Sequence, residues 1–175
     1  MGSNLEFKNT EVAAQFLAGA SGNLATVDLG LTYTVQGAVN VYLYGNASGL
    51  PGTNLGLLGS GTPTAALGTT SSSLVSFAVA GTIPVTMGTT YWLVLKPTNT
   101  SMADAWNLSS PAVPGWVGVS FNDSTWAAFV ETLPAFRITA QGAAGAPDSG
   151  ATILLLLGSA TALFVLQRML PRQRC

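Results

Sequence analysis

The side chains in this chain that could do chemistry are few, and they are of two kinds, carboxylates and aromatic rings. There are seven Asp and Glu, four Trp and four Tyr, no His, and a single Cys at position 175. Without His and with one terminal thiol, a Ser-His-Asp triad is excluded, as is a zinc site of the usual His or Cys kind. An intramolecular disulfide is excluded as well. Two carboxylates could hydrolyse a glycosidic bond if they faced each other about 5 to 10 Å apart across a cleft. The spacing of Glu6, Glu11, Asp28, Asp104, Asp123 and Glu131 shows no sign of such a pair. A glycoside-active enzyme is therefore the weakest reading, and Asp104 and Asp123 are the positions whose replacement would test it. In "FNDSTW", Asn122, Asp123 and Ser124 could offer oxygens to calcium, but only one is a carboxylate, and a calcium site wants several. An Asx-turn explains the stretch better. The expectation is no enzyme, no metal and no cofactor.

The rings remain. Tyr42, Tyr44, Trp116 and Trp126 form the candidate ligand platform, because flat aromatic faces stack on the apolar faces of sugar rings. The opposing reading is that Tyr and Trp pack cores with one polar tip satisfied. Trp92, in the middle of "TYWLVL", is expected to be buried; Trp116 and Trp126 lie near glycine and turn residues and are expected to be more exposed. Four Asn-x-Ser sequons begin at Asn46, Asn99, Asn107 and Asn122, and they are read as turns.

The elements that would carry these residues are strands. Only 7% of the chain is charged, with 20 Gly and 9 Pro, against about 25% charged in an average globular protein. Short apolar runs alternate with Gly, Ser, Asn and Pro clusters, the pattern of an all-β sandwich. In "AVNVYLYGNASGLPG", Val39, Val41 and Leu43 should face one side, and Asn40, Tyr42 and Tyr44 the other, with "GNASGLPG" as the turn. "LVSFAVAG", "TTYWLVLKP", "DAWNLS", "GWVGVSF", "TWAAFV" and "AFRITAQG" read as further strands, with a weaker pair near "AAQFLA" and "LATVDLGLTY". Eight or nine strands in two sheets around a single core are expected. The fold class is thus an all-β, antiparallel β-sandwich, jelly-roll-like, followed by one C-terminal transmembrane helix. Ahead of the tail the cations are Lys8, Lys96 and Arg137, and without a basic stripe to neutralise phosphates nucleic acid is not a partner.

The tail reads "APDSGATILLLLGSATALFVLQRMLPRQRC". Residues 151–166 carry no charge, and as a helix they span about 24 Å, slightly short of a hydrocarbon core of roughly 30 Å. Gln167 and Arg168 can snorkel to lengthen the reach. Arg168, Arg172 and Arg174 all follow the apolar run, so by the positive-inside rule that end is cytoplasmic and everything before Ala151 lies outside. The resulting divisions are a disordered start at 1–10, the sandwich at 11–141, a linker with the Pro147, Asp148, Ser149, Gly150 motif at 142–150, a span at 151–168 and a basic tail at 169–175.

Short motif, apolar span and terminal arginines in that order resemble the PEP-CTERM sorting signals of Gram-negative bacteria, particularly their V-P-D-S-G variant, with Ala146 standing where that variant has Val. The resemblance implies that an exosortase, a membrane-embedded cysteine transpeptidase-like enzyme, reads the motif. The membrane is then a transient partner: the protein sits in the inner membrane during export and afterwards outside the cell or on its surface. The body, through "VNVYLYGNASGLPGTNLG", "TYWLVLKP", "AWNLSS" and "AFRITAQG" over roughly residues 12–141, resembles the choice-of-anchor R domain. That resemblance implies a bacterial surface module and brings no catalytic or binding residues with it. The opening "MGSNLEFKNTEVAAQFLAGASGN" has no apolar run of seven, so the expected secretory signal is missing from the chain as it stands. The function expected is a non-catalytic surface or secreted module of the exopolysaccharide or cell-envelope matrix. The alternative is a carbohydrate-binding, lectin-like domain.

Overall fold

The computed structural model describes residues 4–7, 10–68, 73–122 and 124–142. The chain divides into two units, Met1–Gly142 and Ala143–Cys175, and the second lies outside the described residues. The expectations for the sorting motif, the span and the three arginines fall there.

The described chain is all-β and antiparallel. Its strands are β1 (Asn4–Phe7), β2 (Glu11–Leu17), β3 (Gly22–Val35), β4 (Val39–Ala47), β5 (Leu50–Gly61), β6 (Ser73–Ala78), β7 (Pro84–Val85), β8 (Thr90–Pro97), β9 (Ala103–Asn107), β10 (Pro114–Ser120), β11 (Trp126–Thr132) and β12 (Phe136–Gly142). Among the described residues there is no helix, so none is long and apolar enough to cross a membrane.

Two six-stranded sheets form a sandwich-like pair. One is built on the 14-residue β3, which β12 and β9 flank end to end on one side and β6 and β7 on the other, with β1 beyond β9. The other runs β11-β10-β2-β8-β4-β5. Val39, Val41 and Leu43 face the main core as expected, joined by Val12, Leu93 and Leu95 from the same sheet and by Phe7, Val27, Leu29, Leu31 and Trp106 from the opposite one. Along one side β5 passes close to β6. Glycines admit that approach: a Cβ at Gly59 would lie 2.9 Å from Phe77 Cδ1, and one at Gly61 would lie 2.9 Å from Phe77 Cε1 and from Val75 Cγ1.

Four expectations change. Residues 4–7 are strand β1 with Phe7 buried in the core, because the unpaired edge of β9 offers them a ladder. Among the described residues twelve strands stand where eight or nine were expected; β5 was hidden by its glycines, and β7 has only two residues. The stretch "GNASGLPG" is a turn only at Ser48 and Gly49, both at positive φ (53° and 84°), the conformation that tight two-residue hairpins demand. Leu50, Pro51 and Gly52 already belong to β5.

The fourth change concerns the core, which is not single. A second buried cluster, Ala13, Tyr44, Trp92 and Val94, occupies the opposite face of the β2-containing sheet, with Tyr42, Trp126 and Ala128 packed against it. The cause is curvature. Pairing of β4 with β5 breaks register three times, bulges of this kind bend and twist a sheet, and the edge strands β5 and β11 come near each other. The rolled sheet covers its own second face.

Candidate functional site

The second face of the rolled sheet collects most of the rings singled out from sequence. Tyr42 and Tyr44 come from β4, Trp92 and Lys96 from β8, Trp126 from β11 and Trp116 from β10. Side chains two residues apart share a face, so the register places Trp116, Gly118 and Ser120 opposite Val130, Ala128 and Trp126 on this one surface. Gly118 keeps the middle open: a Cβ there would sit 3.3 Å from Trp126 Cε3 and 3.5 Å from Trp92 Cζ3.

The geometry is that of a packed cluster. Tyr44 and Trp126 meet edge to face with ring centroids 6.4 Å apart. The Lys96 ammonium lies 5.0 Å from the Tyr42 ring centroid and 5.2 Å from that of Tyr44, within reach of a cation–π attraction, and 3.9 Å from Glu11 Oε1. Trp92 is fully buried, and its indole N–H donates to Asn46 Oδ1 at 3.0 Å. Tyr44 is only 3% exposed. Tyr42 and Trp126 are half-buried. Trp116, 45% exposed, stands outside the cluster. The four expected platform residues therefore share a face, but one is buried, two are partly covered and one is open.

The carboxylates are dispersed. Asp28 accepts from Arg137 Nε at 2.8 Å and from Nη2 at 2.7 Å; hydrogen bonds from Ser76 and then Arg137 hold its carboxyl below the ordinary range. Asp104, on β9, is 2% exposed, and among the described residues neither of its oxygens has a hydrogen-bond partner. Burial pushes its carboxyl up to about 6. Asp123 lies outside the described residues. Among the described residues, no three of His, Cys, Asp and Glu gather where they could hold a metal.

In the loop after β10 the Asn122 side chain accepts from the N–H groups of Ser124 (3.1 Å) and Thr125 (2.9 Å), an Asx-type turn. Asn99 likewise takes the N–H groups of Ser101 and Met102. The other two sequons are not turns. Asn46 is in β4 and serves Trp92, and Asn107 is in β9 and accepts from Thr32 Oγ1 at 3.1 Å.

Sequence reasoning missed Phe136, which is a wall of three clefts. The largest, about 400 Å³, is lined without a charged residue by Phe16, Leu24, Val85, Ile138 and others. The second, about 330 Å³, has the Asp28 and Arg137 pair at its margin, and the third, about 300 Å³, lies against Val113 and Leu133. None of the four platform residues lines any of these three. A single Phe at the start of a strand, between Ala135 and Arg137, carries no signal that would have marked it. Comparison with protein-family models, curated proteins and solved structures finds no match to this chain.

Proposed function

We propose that the chain is a non-catalytic bacterial surface or secreted module with a structural role in the exopolysaccharide or cell-envelope matrix, exported and processed through its exosortase-type tail. The observation that carries the structural role over the lectin-like alternative is the use of the rings: Tyr44 and Trp92 are buried, and Tyr42 and Trp126 close over them. Of the four platform residues only Trp116 stands open, and a single exposed ring does not make a platform. The described carboxylates point the same way, since Asp28 is held by Arg137 and Asp104 is buried with no hydrogen-bond partner among the described residues. Address and processing rest on the order of motif, span and arginines in residues 147–174 and on its likeness to PEP-CTERM signals. The jelly-roll-like class, the single transmembrane helix and the choice-of-anchor R kinship belong to this proposal too.

The address is tested by expressing an export-competent, tagged chain with and without residues 147–150 and measuring the mass of the mature product. Loss of residues 151–175 only when the motif is present is the expected result; retention of them in both chains refutes processing. A glycan array separates the two roles. No hit that depends on Trp116 or Trp126 is expected, and a micromolar-to-millimolar hit lost on Trp116→Ala would restore the lectin-like reading.

A further inference from the structure

We infer that β11 is a self-recognition edge through which two copies of this chain join by antiparallel strand addition about a twofold axis at Phe129. An edge strand presents a row of unpaired N–H and C=O groups, and natural proteins shield such rows with bulges, charges, prolines or brevity. The other edges among the described residues are shielded or covered: β6 lies against β5 and β7 has two residues. β5 has three register breaks, β12 has a bulge between Thr139 and Ala140 and carries the exposed Arg137, and β1 has four residues. β11 pairs with β10 over seven residues with no register break. It contains no Pro and no Lys, and Glu131 is its one charge.

Its free side can be read from the ladder. Leu133 N–H donates to Val113 O, so by alternation the groups of residues 131, 129 and 127 point to β10, and those of 132, 130, 128 and 126 point away. Thr132 N–H is already taken by the Glu131 carboxylate at 2.9 Å, which leaves Ala128 and Val130 at the centre. A twofold at Phe129 sets Ala128 opposite Val130 of the second copy and Val130 opposite its Ala128, giving four backbone hydrogen bonds in register. The same axis sets Glu131 opposite Ala127, so no like charges meet. Exposed apolar side chains surround this centre on both faces: Phe129 (41%) on one, Val130 (60%) and Trp116 on the other. A contact of this kind uses the same patch twice and closes as a pair. Although β5 comes near β11 in its own chain, β11 remains the end of the hydrogen-bonded order.

Disulfide trapping on the full chain in mild detergent, with Cys175→Ser to leave one thiol at a time, reads the register directly. Phe129→Cys is expected to give a covalent dimer under mild oxidation, because residue 129 faces its own copy in a non-hydrogen-bonded pair. Ala127→Cys and Glu131→Cys should each fail alone and cross-link when mixed. Val130→Pro added to Phe129→Cys should reduce the dimer at least tenfold. Equal cross-linking at 127, 129 and 131 would mean association through the apolar tail and would overturn the proposal. So would an unlinked Phe129→Cys chain, which would mean that β5 seals the edge. The pattern does not depend on whether the tail is cut, so its failure is separate from failure of the proposed address.

Discussion

Asp104 sits in β9 opposite Phe7 on one side and Tyr33 on the other, and its carboxyl is more easily protonated folded than unfolded, at about 6 against roughly 3.9 for a free Asp. The sign follows from linkage: a raised acid pKa favours the folded state when the group is protonated, so stability is lost as pH rises from about 4 to about 6. Asp28 acts in the opposite direction, since its lowered pKa withdraws stability only as pH falls below the ordinary carboxylate range. The chain should therefore be most stable in mild acid. Asp104→Asn should raise neutral-pH stability by up to about 3 kcal/mol and flatten the profile between pH 4 and 7, as urea unfolding across that range would register. Asn46→Ala should cost about 1–3 kcal/mol by stranding the buried Trp92 indole N–H, and its melting temperature should fall accordingly. That Asp104 is a carboxylate without an obvious pair is plain from the sequence. Its burial was not, because it comes from β1 and β3 closing on both sides of β9, and no local pattern records such long-range pairing.

Period-two alternation exposed most of the elements, and it failed for physical reasons that can be named. Val39 to Tyr44 alternate cleanly, and their inner residues are where the pattern put them. In β5, glycines at 56, 59 and 61 erase the alternation because the strand must lie against Ile83 at Gly56 and against Phe77 at Gly59 and Gly61. Gly61→Val should cost about 1–3 kcal/mol through overpacking against Phe77 and Val75. Gly19→Ala, with nothing near its added methyl group, should be close to neutral; denaturant titration of both chains checks the contrast. The second core was illegible for a related reason. Tyr42 and Tyr44 read as the outer face of β4, and so they are, but that face is enclosed by a sheet that bends at bulges, which the sequence does not announce. The structure sets the four platform residues on one face, and their burial could not be read from the sequence.

At the scale of the whole molecule, the order of pairing along the chain has a temporal meaning. None of the first three strands pairs with another of the three: β1 waits for β9, β2 for β8 and β10, and β3 for β6, β7, β9 and β12. The hydroxyls of Thr26 and Thr139, 2.6 Å apart, join positions separated by 113 residues. Loop-closure entropy must be met before such distant contacts can reward it, so a chain emerging N-terminus first has little to fold until its last strands appear. The hairpin from β4 to β5 can form early, whereas the long central strand cannot be completed before β12. A chain halted at Thr132 would leave residues 22–29 bare along one whole side, an open template for aggregation. Arrival of β12 is the event that closes the last open side of the central strand.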